Sequence, residues 1–261
     1  VAVLFFLWLL YKVLDYRIDF QFYFKWSKRY ITQILQIGLP SAFEQVLYQA
    51  CQIVFLYYVT YLGTEALAAR QYATNVSMFS YLFALAIGLG TSIITGRLVG
   101  SGEKDEVYSQ VWSSLRRALA FTAFMVVIVM ALRYPLMRLF TDNEAIIQLG
   151  ASVLLLSCLL ETGRTVNMVI INSLRASGDA KFPVLMGAIS MVLISLPLGY
   201  FFVFVLDLGL VGVWLAIATD EWIRAISMAL RWKSRVWERY ALVDTSSQKT
   251  LIDTPVEPDV V

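Results

Sequence analysis

The chain has 261 residues, 59% of them apolar and 15% charged, with a formal net charge of +2. Ordinary soluble domains are about 45–50% apolar and about 25% charged, and a fold of this length has too little interior to hide the excess. The composition therefore argues against a soluble globular enzyme and against disorder over most of the chain. There is no histidine, which removes His-ligated zinc, the Ser-His-Asp triad and any His proton relay. Cys51 and Cys158 lie in separate apolar runs, fit no C-x-x-C pattern and imply no disulfide framework. No nucleophile accompanies a base, so no catalytic residue, enzyme activity or cofactor is read. The small net charge gives no reason to expect nucleic acid.

In chain order, residues 1–11 (V-A-V-L-F-F-L-W-L-L-Y) are apolar but too short to cross a bilayer, which needs about 20 residues per helix. They carry no initiator Met and no Lys/Arg n-region of a signal peptide, and read as the end of a helix that starts earlier. A basic loop, 12–30, follows. Full spans are predicted at 37–62, 72–98, 117–135, 146–171, 184–206 and 209–231, giving an all-α polytopic membrane bundle over 1–239. The apolar runs are continuous, not alternating, so a β-barrel does not fit. Short connections are marked by Gly63, the G-S-G at 100–102, Gly178 and Gly209. Pro40, Pro183 and Pro197 are candidate bending points, the first two near helix starts. The stretch 240–261, with two prolines and four acids, reads as a disordered tail.

Sixteen of the 21 Lys and Arg residues fall on one side of the predicted spans: the 12–30 loop, Arg97 to Arg117, Arg175 and Lys181, and the last positions from Arg231. Arg70, Arg133 and Arg138 fall on the other. This bias puts the tail and the 12–30 loop in the cytoplasm. Arg164 and Arg224 remain inside spans.

Charges in a span are costly and face a bundle interior or a watery cavity. In the first span Ser41, Glu44, Gln45, Gln49 and Gln52 share an arc of about 140° at about 100° per residue, opposite Phe43, Val46, Leu47 and Val54. Hydrogen bonding between helices is the alternative role for the glutamines. Glu44 has no basic residue in its own span. In the 146–171 span Glu161, Arg164, Thr165 and Asn172 share a face, with Asn167 turned away, and Glu161 and Arg164 are spaced for an i, i+3 pair. That pair is either structural or part of a cation or proton site. In the last span Asp220 and Arg224 suit an i, i+4 supporting ion pair, and Glu221 points to a different neighbour. Tyr48, Phe55, Tyr72, Phe79, Tyr81 and Phe83 offer either cation–π surface or packing. Trp112, Trp214, Trp222, Trp232 and Trp237 read mostly as interfacial anchors, and G-R-L-V-G at 96–100 as a small-xxx-small packing match.

Five segments together resemble one known family. They are I-G-L-P-S-A-F-E-Q (37–45), L-G-T-E-A-L-A-A-R (62–70), G-L-G-T-S-I-I-T-G-R-L-V-G-S-G-E (88–103), N-S-L-R-A-S-G-D-A-K-F-P (172–183) and G-L-V-G-V-W-L-A-I-A-T-D-E-W-I-R (209–224). The chain resembles the second half of a MATE (multidrug and toxic compound extrusion) transporter of the bacterial efflux subgroup, over about residues 1–240. The resemblance implies one lobe of a two-lobe, twelve-helix transporter in the cytoplasmic membrane, with an N-terminal six-helix lobe as its companion. It implies antiport, Na⁺ or H⁺ moving in and an organic, cationic compound moving out. In sodium-coupled members an acid on the seventh helix and one on the tenth line a cation site. Glu44 matches the first; Arg164 is followed by Met168 where those members have an aspartate, and the nearby acid is Glu161. Glu44 and Glu161 are thus the candidate Na⁺ ligands, with Gln45, Gln49, Gln52, Arg164 and Asn172 completing the candidate cation and substrate site. A lipid or lipid-linked oligosaccharide flippase of the same superfamily is the first alternative; it would be expected to carry more cationic residues in its cavity than Arg164 and Arg224. A non-transporting membrane receptor or assembly protein is the second.

Overall fold

Apolar runs separated by glycine turns fold as long antiparallel helices. The computed structural model describes Trp8, Lys12 and residues 28–240; the helix end expected at 1–11, most of the loop at 12–30 and the tail beyond Tyr240 lie outside the described residues. The chain divides into two units, Val1–Leu39 and Pro40–Val261, and the helical bundle belongs to the second. In chain order the elements are α1 (Lys28–Tyr61), α2 (Thr64–Gly100), α3 (Lys104–Ala131), the short α4 (Arg133–Arg138), α5 (Glu144–Ala176), α6 (Lys181–Val205) and α7 (Gly209–Lys233), closed by a 3₁₀ turn at Val236–Arg239. No strand occurs among the described residues.

Five of the six predicted spans fall on one long helix each, within a residue at their ends, the exception being 117–135. Among the described residues, α2, α3, α5 and α6 are both long and apolar enough to cross a membrane. In α1 the glutamines and Glu44 dilute the apolar run, and in α7 Asp220, Glu221 and Arg224 do so. The span expected at 117–135 overruns a break at Leu132, because Pro135 cannot continue a helical ladder and is tolerated only in the first turn of a new one. Pro40 falls inside α1, not near its start, since the helix begins at Lys28. At Pro197 the expectation of a bend is met differently: Met191–Ser195 and Phe201–Val205 form π-helical turns on either side of Leu196–Tyr200. A proline ring collides with the carbonyl four residues back in an α-helix, and a π turn relieves that register.

The turns use glycine as expected. Gly63, Gly102, Gly178 and Gly209 all have positive φ, which an L side chain resists. Asn143 caps α5, its Oδ1 accepting from the Ala145 backbone N–H at 2.9 Å, and Glu144 and Arg175 complement the dipole at the two ends of that helix.

α5 is the central helix. It packs on α2, α3 and α7, and Gly88 of α2 lets it approach so closely that an added Cβ would stand 3.1 Å from Asn172 Nδ2 and 3.3 Å from the Met168 carbonyl. Two apolar clusters fill the bundle. One gathers Val59, Ala69, Ala73, Leu154, Val213 and Trp214; the other gathers Val107, Val111, Ile170, Leu174, Met228 and Trp232. Between them along α5 and α7 lies a buried polar layer: Ser157, Glu161, Thr165, Asn167, Asp220, Glu221 and Arg224. Many large apolar side chains, among them Val46, Ile53, Ile93 and Leu193, are exposed on the outside.

Two packing expectations are corrected. Gly96 and Gly100 meet nothing within 4 Å, so the G-x-x-x-G match does not join helices among the described residues. The tryptophans do not simply anchor an interface: Trp232 and Trp237 are fully buried and stack with ring centroids 4.6 Å apart, Trp214 donates to Ser157 Oγ, and Trp222 donates to the Leu159 carbonyl. Indoles filling the bundle bury more apolar area than they would at its edge.

Gly178 has φ +98°, and an added Cβ would sit 2.4 Å from the Tyr240 carbonyl oxygen. Gly178→Ala should therefore destabilise the lobe by about 1–3 kcal/mol, seen as a lowered melting temperature in detergent.

Candidate functional site

The polar faces predicted on separate helices converge. A cavity of about 570 Å³ is lined by Glu44, Gln45, Gln49 and Gln52 of α1, by Glu161, Arg164 and Asn172 of α5, and by Glu221 and Arg224 of α7. This volume lies in the range of small-molecule sites, about 300–1,000 Å³. A second cavity of about 680 Å³ shares Gln49, Gln52, Arg70 and Thr74 with the first. All seven candidate cation and substrate residues thus line one space. Asn167, which lies about 120° from Glu161 around the helix, also lines it.

Both pairs expected within a single helix form. Arg164 Nη1 lies 2.8 Å from Glu161 Oε1, and Arg224 Nη2 lies 2.7 Å from Asp220 Oδ2. Asp220 itself sits behind the cavity wall, where Ser190 Oγ donates to its Oδ1. The role expected for Glu221 is corrected. It faces the same cluster, not a different one: Arg224 Nη2 is 3.1 Å from its Oε1, Arg164 Nε is 3.7 Å away, and Asn167 Nδ2 donates to its Oε2 at 2.9 Å. Glu221 therefore joins two pairs into one network of three carboxylates and two guanidiniums, which carries one excess negative charge when all are ionised. The Arg164 guanidinium also lies 5.6 Å from the centre of the Tyr81 ring.

The setting of Glu44 differs from expectation. It is buried at 8% exposure, and no base in its own helix neutralises it, but Arg175 in the last turn of α5 does. Arg175 Nη2 donates to Glu44 Oε2 at 2.5 Å. Charge counting alone puts Arg175 in the connecting loop; the helix continues to Ala176 and carries the side chain to the cavity rim. Arg70, assigned by the same count to the far side of the membrane, likewise lines the cavity and donates to Gln52 Oε1 at 3.2 Å. The cavity thus has four arginines, not the two within the spans. Among the aromatics, Tyr48 and Tyr81 line it. Phe55 is buried in the core, Tyr72 stacks on Phe140, Phe79 is exposed, and Phe83 contacts Phe121. Among the described residues no three acids, histidines or cysteines cluster as a metal site; Gln45, Gln49 and Gln52 line the same cavity as Glu44.

Residues 40–201 match the family model MatE. The chain belongs to the MatE family. This MatE chain is 42% identical over 214 residues to the uncharacterized transporter YisQ of Bacillus subtilis (strain 168), covering 82% of this chain and 47% of that protein. It is 26% identical over 227 residues to the probable multidrug resistance protein NorM of Thermotoga maritima, covering 87% and 48%. A crystal structure of MATE in complex with MaL6 superposes with a TM-score of 0.79 at 20% identity, over 89% of this chain and 53% of that one. The chain spans about half the length of the curated relatives it matches, and its bundle matches one lobe of a two-lobe transporter. The family assignment makes it a multi-pass membrane protein of a transporter family, which leaves the receptor reading without support.

Removing one partner of a buried pair leaves the other charge uncompensated, at about 3–5 kcal/mol, whereas an exposed pair contributes less than about 1 kcal/mol. Arg224→Met should accordingly lower folded yield and thermal stability far more than Arg235→Ala, which breaks the exposed 2.6 Å contact to Asp105; size-exclusion yield and melting temperature compare the two.

Proposed function

We propose that this MatE chain forms one lobe of a cation-coupled antiporter that exports organic, cationic compounds across the cytoplasmic membrane while Na⁺ or H⁺ moves inward. A second six-helix lobe completes it, and the residues after Tyr240 are cytoplasmic. The relatives named as probable multidrug resistance proteins support export. The observation that carries the reading is the single cavity that collects Glu44, Gln45, Gln49, Gln52, Glu161, Arg164 and Asn172.

The chemistry follows from the cost of a bare buried carboxylate. A proton, a sodium ion or the cationic centre of a substrate can each satisfy Glu44. If they exclude one another, cargo leaves only when the ion arrives. The glutamine amides offer neutral oxygens to Na⁺ or to an ammonium, and Tyr48 and Tyr81 offer ring faces, each worth roughly 0.5–2 kcal/mol to a desolvated cation. Rocking of this lobe against its companion supplies alternating access. Asp220 and Arg224 brace α7 beneath the site. No cofactor takes part.

Glu44→Gln should abolish ion-driven efflux of a cationic dye with membrane insertion unchanged; full efflux by that variant would sink the proposal. The coupling ion is identified by collapsing the proton gradient: efflux that persists on a Na⁺ gradient alone assigns Na⁺, and efflux that stops assigns H⁺. One observation favours a second reading, a flippase for lipids or lipid-linked oligosaccharides: Arg70 and Arg175 double the cavity's arginines. Reorientation of an anionic lipid in vesicles, without dye efflux, selects it.

A further inference from the structure

Glu44 is held differently from the carboxylates of the α5–α7 network. Its Oε2 accepts from Arg175, and its Oε1 faces Gly187, where an added Cβ would lie 3.2 Å away. The α5–α7 carboxylates, by contrast, are cross-braced by two guanidiniums, Asn167 and Ser190. The two partners of the Glu44 pair also differ in what separation costs them. The Glu44 side chain is 10% exposed and the Arg175 side chain 33%. A carboxylate at that depth cannot stand without a cation. The guanidinium sits in the last turn of its helix, beside partial negative charge, and has water within reach. Its Nε is buried without a hydrogen-bond partner, so the arginine is held where it is without being fully satisfied there.

We propose that Arg175 is a tethered competitor for the cation that Glu44 binds. Its guanidinium occupies the carboxylate while the cavity holds no cargo, and the cationic centre of the cargo displaces it towards the aqueous rim. The inference rests on the reading of Glu44 as the cargo-binding acid. Under it the carboxylate is never bare: one cation is exchanged for another, and buried charge is conserved through the step. The exchange selects its cargo. An incoming cation must displace an arginine that loses no translational freedom by staying, and it can do so with an apolar body laid against Met78, Met168 and Met191 of the lining, contacts that are gained only by a ligand filling the cavity. The cargo that this exchange favours is a lipophilic monocation whose apolar body fills the cavity.

The test uses the full-length transporter in lipid nanodiscs and tetraphenylphosphonium, a cation without hydrogen-bond donors, at mildly alkaline pH. Arg175→Gln should bind it about tenfold more tightly than the wild type, and Arg175→Lys, which keeps the charge, should stay near the wild-type Kd. The double variant Glu44→Gln/Arg175→Gln should bind no tighter than Glu44→Gln. In the wild type, saturating tetraphenylphosphonium should raise the rate at which phenylglyoxal modifies Arg175 several-fold, read by peptide mass spectrometry. Unchanged or weaker binding by folded Arg175→Gln overturns the proposal, as does a Lys variant that tightens equally, or modification that is unchanged or slowed. If Arg175→Gln does not fold, the wild-type modification rate decides alone. A Glu44→Gln variant that binds tetraphenylphosphonium as the wild type does overturns instead the reading of Glu44 as the cargo acid.

Discussion

A charge buried between helices must be met by an opposite charge, and the polar layer is arranged around that constraint. Glu161, Asp220 and Glu221 are each below 6% exposed, as is Arg224. None of the four is tolerable alone, since isolated ions in a low-dielectric interior cost several kcal/mol each even after relaxation. Spacing within a helix supplies the first partners, Glu161 with Arg164 and Asp220 with Arg224. Glu221 then ties α7 to α5 through Arg164 and Asn167, and is joined to Asp220 within α7 by Arg224. Because those contacts are directional, they fix the rotation and axial register of α7 against α5, which the two apolar clusters above and below would constrain less sharply. Apolar packing tolerates a sliding contact; a guanidinium shared between two carboxylates does not.

The same constraint shapes the cavity wall. Four arginines and three carboxylates line it, with Asp220 just behind. Near-neutrality of this kind makes so many buried charges tolerable in one lining. Arg70, bonded to an amide instead of a carboxylate, is the cation least committed to a partner, and it sits where the two cavities meet.

Much of this is legible in the sequence, and what is not shares one cause. Helix positions, the glycine turns and the pairs Glu161–Arg164 and Asp220–Arg224 follow from composition and from the periodicity of a single helix. That periodicity shows which residues share a face; it does not show which neighbour the face meets. Periodicity therefore sends Glu221 to a different neighbour, and it is silent on Arg175 and Arg70, which enter the sequence only as topology signals; each of the three finds its partner or its cavity on another helix. Arg175 is further obscured because a charge at a helix end reads equally as a topology signal and as a cavity residue, and only the extension of α5 to Ala176 distinguishes them. The tryptophans mislead for a related reason: amphipathic indoles suit an interface or a buried junction, and Trp232 stacks on Trp237 only because the 3₁₀ turn after α7 folds back.

Within the cavity lining, the charges thus divide into a cross-braced network and the singly bonded pair of Glu44 and Arg175. The α5–α7 network is buried and braced from several directions, by two guanidiniums, Asn167 and Ser190. Glu44 and Arg175 meet through one hydrogen bond between α1 and the end of α5, at the margin of the cavity. The exchange proposed for this pair would never expose a bare charge to the membrane interior and would leave the core network intact: the carboxylate lies deep, at 10% side-chain exposure, and the guanidinium is shallower, at 33%.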